Sequence, residues 1–490
     1  MPEQITLTQD QQEAMDAIMS FVDAKDKRVF ILRGYAGTGK TTLVKEILSE
    51  LKRKNRSYNL LASTGRAAKV LSDTVEKMTP ADNEGFTSPG ATTIHSLIYT
   101  FEKITEDLDL FSQQRAEPIG VHRDIKLKFS LKRILEYDSD PIVYIVDESS
   151  MISDNSDASF SFAEYGNEGR LLQDLLNYDT KGQFIFIGDN CQLPPINQGI
   201  SPALSVEYFQ NKFNIEGNEA ELKNIVRQAA GNDITVSASK VRSKILDQNV
   251  NNLYLSFPLR GYQNIHVIPN EDQMLDMYIN DIRGRNYSKA TFIVISNKKI
   301  SALSNRIRPA LGFKQNTLAV DDLLLVTQNN MVSGLMNGDL VRVVAIGRRE
   351  RRANLTFVQV QVESLANGYV YSQFLIEEIL YSGVTNITQE QQTTLMIDFH
   401  IRAKGKGLKQ GSKMYLDLMR SDSYLNALRC IYGYVLTCHK SQGGEWDKVY
   451  LQIPRALHYM DHKYAYQWVY TAMTRAKKEL YVLKDSWLSF

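Results

Sequence analysis

Features that mark several large classes of protein are scarce in this sequence. It has only three cysteines in 490 residues, Cys191, Cys430 and Cys438, and no CxxC pair, which argues against a disulfide scaffold or a cysteine-rich zinc module and indicates a reducing compartment. Its apolar runs all fall short of the roughly 20 residues that a membrane span needs, and the N-terminus is polar. We therefore expect a cytoplasmic protein that does not bind membranes.

An excess of one charge is also lacking. The 57 Lys and Arg residues balance 56 Asp and Glu residues, which excludes histone-like binding of nucleic acid by bulk charge, so a nucleic-acid site has to be a local groove. Internal repeats and low-complexity linkers are absent from the sequence. With 43% hydrophobic residues, a chain of this length is expected to fold into two or more packed domains.

Short apolar runs bounded by turn residues predict two series of buried parallel strands. The first series is VFIL at 29–32, IVYIV at 142–146 and FIFIG at 184–188. The second is TFIVIS at 291–296, YGYVLT at 432–437, KVYLQI at 448–453 and LYVL at 480–483. The sequence therefore predicts an α/β protein with two parallel-sheet domains.

Two stretches interrupt these series with the period-two alternation of strands that have one exposed face. Residues 98–137 contain IKLKFSLK, which predicts a small β-hairpin with one basic face. Residues 321–429 contain NGDLVRVVAIG, LTFVQVQV and GYVYSQFLI, which predict a small barrel of antiparallel strands. The remaining residues then form a first domain from 1–97 and 138–230 and a second from 231–320 and 430–490.

The segment GYAGTGKTT fits the pattern GxxxxGK[ST] and lies between a predicted strand and a predicted helix, the context in which this pattern binds phosphate. Its glycines allow backbone N–H groups to wrap a polyphosphate at a helix N-terminus. Lys40 is expected to reach the β- and γ-phosphates of ATP, and Thr41 to ligate Mg²⁺. The alternative is a chance match in a glycine-rich turn. The candidate nucleotide contacts in this segment are Gly34, Gly37, Thr38, Gly39, Lys40, Thr41 and Thr42.

Polar residues follow the next two strands of the first series. Asp147 and Glu148 end the run IVYIVDES, where an open α/β sheet binds its ligands, and suit a Mg²⁺ ligand and a water-orienting base. The alternative is that they only cap the next helix. Gln192 follows the third strand, where its amide could bond both the nucleotide and a neighbouring segment, although the composition by itself predicts only a turn-rich loop.

Nine segments, taken in order, resemble the motifs of superfamily 1 helicases, in the 1B subgroup of RecD and phage Dda. They are LTQDQ (7–11), GYAGTGKTT (34–42), ASTGRAAK (62–69), TIHSL (93–97), VDESSM (146–151), GDNCQLPP (188–195), IVRQ (225–228), LTCHKSQGGEWD (436–447) and YTAMTRAKK (470–478). The resemblance covers nearly the whole chain, and NGD at 337–339 resembles the start of that family's SH3-like insert. It implies two RecA-like motor domains with a β-hairpin insert and an SH3-like β-barrel insert.

The resemblance also implies an activity, ATP-driven movement along single-stranded DNA in the 5′ to 3′ direction. Asp147 would hold the metal and Glu148 the attacking water. Arg227 and Arg475 would be two arginine fingers, one from each side of the cleft. The remaining nucleotide contacts that it implies are Gln11 at the adenine edge, Gln192 at the γ-phosphate, and Glu445.

The same resemblance implies that single-stranded DNA, or its junction with a duplex, crosses both domains of a monomer. The implied DNA contacts are Ser63, Thr64, Arg66, His95, Thr437, His439, Ser441 and Gln442. The hairpin insert would be the wedge that splits the duplex, with Phe111 as its apolar tip. Packing of Phe111 against the next domain is the alternative.

Three positions depart from the family. Trp446 stands where the family more often has Phe, Ser149 where Ala is usual, and the segment between VDESSM and GDNCQLPP is longer by a polar, aromatic loop.

Two further interpretations remain open: His458 and His462 as metal chelators or surface residues, and the basic stretch 283–309 as a phosphate track or a solvated helix face. An RNA helicase, or a DNA-binding ATPase switch that does not translocate, are the alternative functions.

Overall fold

The structure of the protein is a computed structural model that describes residues 7–76, 90–109, 125–134, 140–156, 163–166, 168–225, 232–250 and 254–489. Arg227 and Phe111 lie outside these residues. The helices are α1 Gln9–Asp23, α2 Lys40–Arg53, α3 Gly65–Glu76, α4 Ile94–Ile98, α5 Leu171–Tyr178, α6 Val206–Phe213, α7 Asp233–Ile245, α8 Glu271–Ile282, α9 Asn297–Ala310, α10 Glu378–Ser382, α11 Gln389–Gly405, α12 Lys413–Ser421, α13 Cys438–Ser441 and α14 His462–Met473.

The strands are β1 Val29–Gly34, β2 Tyr58–Ala62, β3 Thr92–Thr93, β4 Tyr99–Ile104, β5 Leu127–Leu131, β6 Val143–Asp147, β7 Ala163–Tyr165, β8 Gln183–Gly188, β9 Gly217–Leu222, β10 Phe257–Pro258, β11 Ile265–Ile268, β12 Ala290–Val294, β13 Leu323–Val326, β14 Leu340–Arg352, β15 Leu355–Ser364, β16 Val370–Ile376, β17 Cys430–Tyr432, β18 Val435–Thr437, β19 Trp446–Leu451, β20 Ala476–Leu483 and β21 Leu488–Ser489.

Six parallel strands form the first sheet, in the order β3-β2-β6-β8-β1-β9. Both faces are apolar because alternate residues of each strand pack against helices, Ile18 and Ile47 on one side and Leu175 and Phe209 on the other. The carboxyl ends of β1, β6 and β8 lie at one edge, since Arg33 pairs with Gly188 and Val146 with Phe186. That edge carries the predicted nucleotide residues.

Five parallel strands form the second sheet, in the order β11-β20-β19-β12-β18. The predicted pair of parallel-sheet domains is therefore confirmed. The expected single strand YGYVLT is divided, because β17 pairs antiparallel with β13 in another sheet whereas β18 pairs with β12. Gly433 lies at the division, where a Cβ atom would come within 3.0 Å of the Leu324 carbonyl carbon, so only glycine fits without displacing the backbone.

The two inserted regions contain more than the predicted strands. β4 pairs antiparallel with β5, and β7, from the loop between VDESSM and GDNCQLPP, pairs parallel with β5. An antiparallel sheet of order β16-β15-β14-β13-β17 occupies much of 321–432. Residues 378–421, included in the barrel by the sequence analysis, instead form α10, α11 and α12. The period-two pattern ends at β16, and a capping box of Thr388 and Gln391 begins α11.

The hydrophobic cores of the two parallel-sheet domains meet near the predicted nucleotide segment. Tyr35, Cys191 and Leu193, which follow strands of the first sheet, belong to the same buried cluster as the residues of the second sheet and the large insert. This contact brings the loops after β1 and β8 against α14 of the second domain.

Candidate ATP site and nucleic-acid interface

The loop after β1 is wrapped around the side chain of Lys40. Gly37 and Gly39 have φ angles of 83° and 77°, a left-handed conformation that glycine adopts at little cost. The Lys40 ammonium donates hydrogen bonds to the carbonyl oxygens of Gly34 and Tyr35, at 2.7 and 3.1 Å. α2 begins at Lys40, so the loop and the helix N-terminus form the phosphate cradle that the sequence predicts.

Gln11 connects the first helix to this loop. Its side-chain N–H donates to the carbonyl oxygen of Thr38 at 3.0 Å, and its side-chain oxygen accepts from the Thr8 backbone N–H at 2.9 Å. Gln11 is buried, and Thr8 and Gln11 form the capping box of α1. Gln11 therefore stabilises the phosphate loop, while its adenine contact stays a prediction.

Asp147 and Glu148 extend from the carboxyl end of β6. Glu148 has a φ of 50°, a left-handed conformation that is strained for a non-glycine residue, and the Ser63 hydroxyl donates to its carbonyl oxygen at 3.0 Å. Burial raises the pKa of Asp147, opposed by the Glu148 N–H and by Lys40. Burial and the neighbouring Asp147 raise the pKa of Glu148, opposed by Arg475 and Lys40. The pair therefore favours a bound cation.

Thr41 and Asp147 are the residues that would hold Mg²⁺. Thr41 is exposed at the first turn of α2, and Asp147 is the carboxylate that ends β6. Across the described residues there is no group of three or more His, Cys, Asp or Glu side chains that could hold a metal. One hydroxyl and one carboxylate suit Mg²⁺, which keeps several waters and binds substrate phosphates. His458 and His462 gain no third ligand in the described part of the chain.

The loop after β8 is held by α14 of the second domain. The Tyr470 hydroxyl donates to the Asp189 carboxylate at 2.9 Å and accepts from the Ala36 N–H of the phosphate loop at 3.2 Å. The Thr471 hydroxyl accepts from the Leu193 N–H at 2.8 Å. Gln192 is 4% exposed in this loop, and its side-chain oxygen has no hydrogen-bond partner among the described residues.

Sequence reasoning missed Tyr470 and Asp189, although both belong to the quoted segments. The only available signal was their place in YTAMTRAKK and GDNCQLPP, in which Arg475 and Gln192 were the predicted site residues. A hydroxyl that meets residues more than 200 positions away leaves no local pattern.

Arg475 lies in the second domain, just after α14. Its guanidinium donates to the Thr471 carbonyl oxygen at 2.9 Å and to the Thr474 hydroxyl at 3.1 Å. It is 5% exposed, and its charge lowers the pKa of Glu148. Arg475 therefore acts electrostatically on the predicted water-orienting base, and its role as an arginine finger stays a prediction. Glu445 is exposed, so its nucleotide contact stays a prediction.

A cavity of about 240 Å³ lies between the phosphate loop and the second domain. Ala36 and Gly37 line one side, and α7 and the residues after α14 line the other, including Arg242 and Lys477. The Arg242 guanidinium carbon lies 3.8 Å from the centroid of the Tyr35 ring. This contact could not be predicted from the sequence because α7 carries none of the recognised motifs.

The predicted DNA contacts belong to both domains, and several of their hydroxyl groups already bond to nearby backbone. Thr64 and Thr437 cap α3 and α13, and Ser441 donates to the Cys438 carbonyl oxygen at 2.7 Å. His95 packs edge-on against Tyr165, with ring centroids 5.2 Å apart. The remaining predicted contacts are Ser63, Arg66, His439, whose pKa is lowered by burial, and Gln442, whose amide has no partner among the described residues.

Several basic residues of the stretch 283–309 are paired with carboxylates. Lys299 and Arg306 bond to Glu271, and Arg308 is buried against Asp322 at 2.9 Å. These pairs favour a structural role for the stretch over a phosphate track.

The described helices include none long and apolar enough to cross a membrane.

Comparison with known proteins matches both motor domains to families. Residues 6–252 match the AAA domain, and residues 432–483 match the UvrD-like helicase C-terminal domain. The chain is 25% identical to the uncharacterized protein MJ1519 of Methanocaldococcus jannaschii, over 95% of this chain but 37% of that protein, so it spans little more than a third of this relative.

Two further proteins resemble the chain over nearly its full length. It is 22% identical to the ATP-dependent DNA helicase dda of Enterobacteria phage T4, over 97% of this chain and 98% of that protein. It is also similar to the solved structure of the Pif1 helicase from Candida albicans, with 17% identity, a TM-score of 0.43, and coverage of 99% and 96% of the two chains. Because the AAA-domain match covers half of the chain, this protein belongs to the AAA-domain family, and its second parallel sheet carries the match to the UvrD-like helicase C-terminal domain.

Proposed function

We propose that this helicase is an ATP-driven motor that moves 5′ to 3′ along single-stranded DNA and opens duplexes at their junctions, as a monomer in the cytoplasm. The observation that carries the proposal is a nucleotide site built from both parallel sheets. Lys40, Asp147 and Glu148 come from the first domain, whereas Arg475 comes from the second. Hydrolysis at such a site depends on how the two domains approach each other.

Each group has a part in the hydrolysis of ATP. Lys40 and the loop N–H groups bind the phosphates, and Glu148 orients the attacking water. Arg475 stabilises the charge that develops on the transferred phosphoryl group. Mg²⁺, when bound at Thr41 and Asp147, neutralises charge on the phosphates. The second finger, Arg227, is assigned by resemblance.

The contacts of α14 support a coupling between hydrolysis and movement. Tyr470 bonds to both the phosphate loop and Asp189, so a change at the γ-phosphate acts on an element of the second domain. The predicted DNA contacts are divided between the same two domains, at 63–66 and 95 in the first and 437–442 in the second. Closing and opening of the cleft would therefore move one set of DNA contacts relative to the other.

DNA rather than RNA is proposed because the phage T4 relative is a DNA helicase. Backbone and stacking contacts can be indifferent to the sugar, so an RNA helicase is the alternative. Poly-dT should stimulate the ATPase more strongly than poly-U. Equal or stronger stimulation by poly-U would favour RNA.

Unwinding of two matched duplexes tests direction. A duplex with a 5′ single-stranded tail should be unwound with ATP, and the same duplex with a 3′ tail should not. Lys40→Ala is the matched control, because it should remove unwinding of both. Unwinding of the 3′-tailed duplex alone would reverse the proposed direction. Release of streptavidin from a biotinylated oligonucleotide should accompany hydrolysis, and its absence would favour a switch that binds DNA without moving.

A further inference from the structure

Arg66 lies where three parts of the molecule meet. It belongs to the segment 62–69 of the first domain, and its guanidinium carbon lies 5.3 Å from the ring centroid of Trp446 in the second domain. Asp339 of the large insert attracts it electrostatically. The same insert packs closely on the preceding residue, because a Cβ atom on Gly65 would lie only 2.3 Å from Met336. An arginine predicted to meet DNA is therefore also an interdomain contact.

Gly444 lies between the contact of Arg66 with Trp446 and the predicted arginine finger, Arg475. Its carbonyl oxygen accepts a long hydrogen bond from the Arg475 guanidinium at 3.5 Å. A Cβ atom on Gly444 would lie 2.7 Å from Arg66 Nη2 and 2.5 Å from Trp446 Cη2. The Trp446 backbone N–H donates to the Arg475 carbonyl oxygen at 3.0 Å. One chain segment therefore contacts Arg475 and Arg66 directly.

Because Arg66 is charged, the energy of its contact is sensitive to small displacements of the domains. Burial lowers the pKa of Arg66, and the like charge of Arg475 lowers it further, against the attraction of Asp339. The Nη1 atom of Arg66 is buried without a hydrogen-bond partner among the described residues. A buried and incompletely paired charge is costly, so the energy of this contact depends strongly on the distance between the domains.

We propose that Arg66, Gly444 and Trp446, here named the Arg66 junction, transmit DNA occupancy at the segment 62–69 to Arg475 and so set the rate of hydrolysis. Arg66 is then a positioning residue that acts through Trp446. The inference rests on the proposed DNA-dependent ATPase. Trp446 is 2% exposed, so its substitution tests the junction without removing a surface contact to DNA.

The experiment measures coupling between two ligands in the full chain. The affinity for a non-hydrolysable ATP analogue is determined with and without oligo-dT, and the ratio gives the coupling. The maximal DNA-stimulated kcat, the oligo-dT concentration for half-maximal stimulation, and the salt dependence of oligo-dT binding are measured alongside.

Four variants separate the junction from other roles. Trp446→Leu keeps apolar volume but removes the ring, and Arg66→Lys keeps the charge but removes the planar group. Gly444→Ala introduces the methyl group between Arg66 and Trp446, at a residue without a positive φ. Gly284→Ala is the control, since it also lacks a positive φ and its Cβ would meet nothing within 4 Å.

We expect Trp446→Leu, Gly444→Ala and Arg66→Lys to lower the coupling ratio and the stimulated kcat by roughly five-fold or more, a typical size for coupling between sites. Half-maximal oligo-dT and the salt slope should stay at the wild-type values in Trp446→Leu and Gly444→Ala, and Gly284→Ala should behave as wild type.

Other outcomes overturn the inference in distinguishable ways. If Arg66→Lys behaves as wild type, while a fifth variant, Arg66→Gln, weakens DNA binding and reduces the salt slope by about 0.7, Arg66 is a phosphate contact. Wild-type coupling in all folded junction variants contradicts the junction but leaves the proposed function intact. If oligo-dT changes neither kcat nor analogue affinity in the wild-type protein, the proposed function itself is wrong, and the inference falls with it.

Discussion

The two parallel sheets have the same architecture but present different groups at their carboxyl ends. In the first sheet, β1, β6 and β8 end in the phosphate loop, the carboxylates Asp147 and Glu148, and the Asp189 loop. In the second, β18 ends at Thr437, which caps the short helix α13 of the predicted DNA segment. In the first domain, the carboxyl ends of strands and the helix that follows β1 therefore form the candidate nucleotide site. In the second domain, we propose, the same arrangement of strand end and helix binds DNA.

Some groups of the nucleotide site are held within the first domain, whereas others reach the site from the second domain. Lys40 and Glu148 are positioned by Gly34, Tyr35 and Ser63 of their own domain. The second domain contacts the nucleotide site through α14, and it contributes Arg475, which lies just after that helix. We therefore expect substitutions in the first domain to affect binding and chemistry directly, and those in the second to act on the approach of the domains.

The largest expected effects come from the first domain. Lys40→Ala should remove nucleotide turnover, because loss of the ammonium leaves the charge of the β- and γ-phosphates uncompensated. Glu148→Gln should still bind ATP but lose hydrolysis, because the amide is a poor base. Equilibrium nucleotide binding and steady-state hydrolysis measure the two effects separately. Hydrolysis by Glu148→Gln near the wild-type rate would show that another residue orients the water.

Substitution of the finger arginine should have the next largest effect. Arg475→Ala should slow DNA-stimulated hydrolysis by roughly 10³-fold, because an arginine finger acts mainly on the transition state, and Arg227→Ala should do the same. ATP affinity should change much less. Arg475→Lys, the matched control, should not restore the rate, since an ammonium lacks the planar fork. A large loss of ATP binding with unchanged turnover would make Arg475 a ground-state anchor.

Changes in the hairpin insert should lower duplex unwinding without lowering the ATPase activity. Phe111→Ala, or deletion of 106–121, should lower duplex unwinding while ATPase stimulated by single strands persists, because a separator needs an apolar tip to unstack base pairs. Strand-separation and ATPase assays on the same preparation compare the two. If both activities and the melting temperature fell together, Phe111 would be a core residue.

A single hydroxyl tests the contact between the domains. Tyr470→Phe should lower the melting temperature, because it leaves the Ala36 N–H and the buried Asp189 carboxylate without their partner, at a cost of about 1–3 kcal/mol. Thermal unfolding without ligand measures this effect. Tyr369→Phe is the control, since Tyr369 is 67% exposed. An unchanged melting temperature would mean that water replaces the hydroxyl and that the Tyr470 hydroxyl does not stabilise the contact between the domains.

The smallest expected effect is in the salt dependence of DNA binding. Each phosphate contact should contribute a slope of about 0.7 in log K against log salt, even though the net charge of the protein is only +1. Fluorescence anisotropy of a labelled oligo-dT over a salt series measures the slope. A flat response would leave base stacking as the main contact in both domains.

Much of the nucleotide site could be predicted because its residues are contiguous. Gly34–Thr42 runs from the end of β1 into the first turn of α2 as expected, and Asp147–Glu148 lies at the end of β6. The helical part of the large insert was missed because α11 buries residues around much of its surface, including Gln392, Phe399 and His400, so its sequence shows no clean amphipathic period. The division of YGYVLT between two sheets was missed because strand pairing is set by partners distant in the chain.

The sequence by itself determined which chemical groups are present and the spacing of those that act within one turn, such as the glycines around Lys40. Local geometry depends on neighbouring residues, so a short pattern specifies it. Only the tertiary structure decided that Tyr470 meets Ala36 and Asp189, and that Arg66 stacks on Trp446 beside Gly444. These contacts join residues hundreds of positions apart, and they form only when two separately folded sheets pack together.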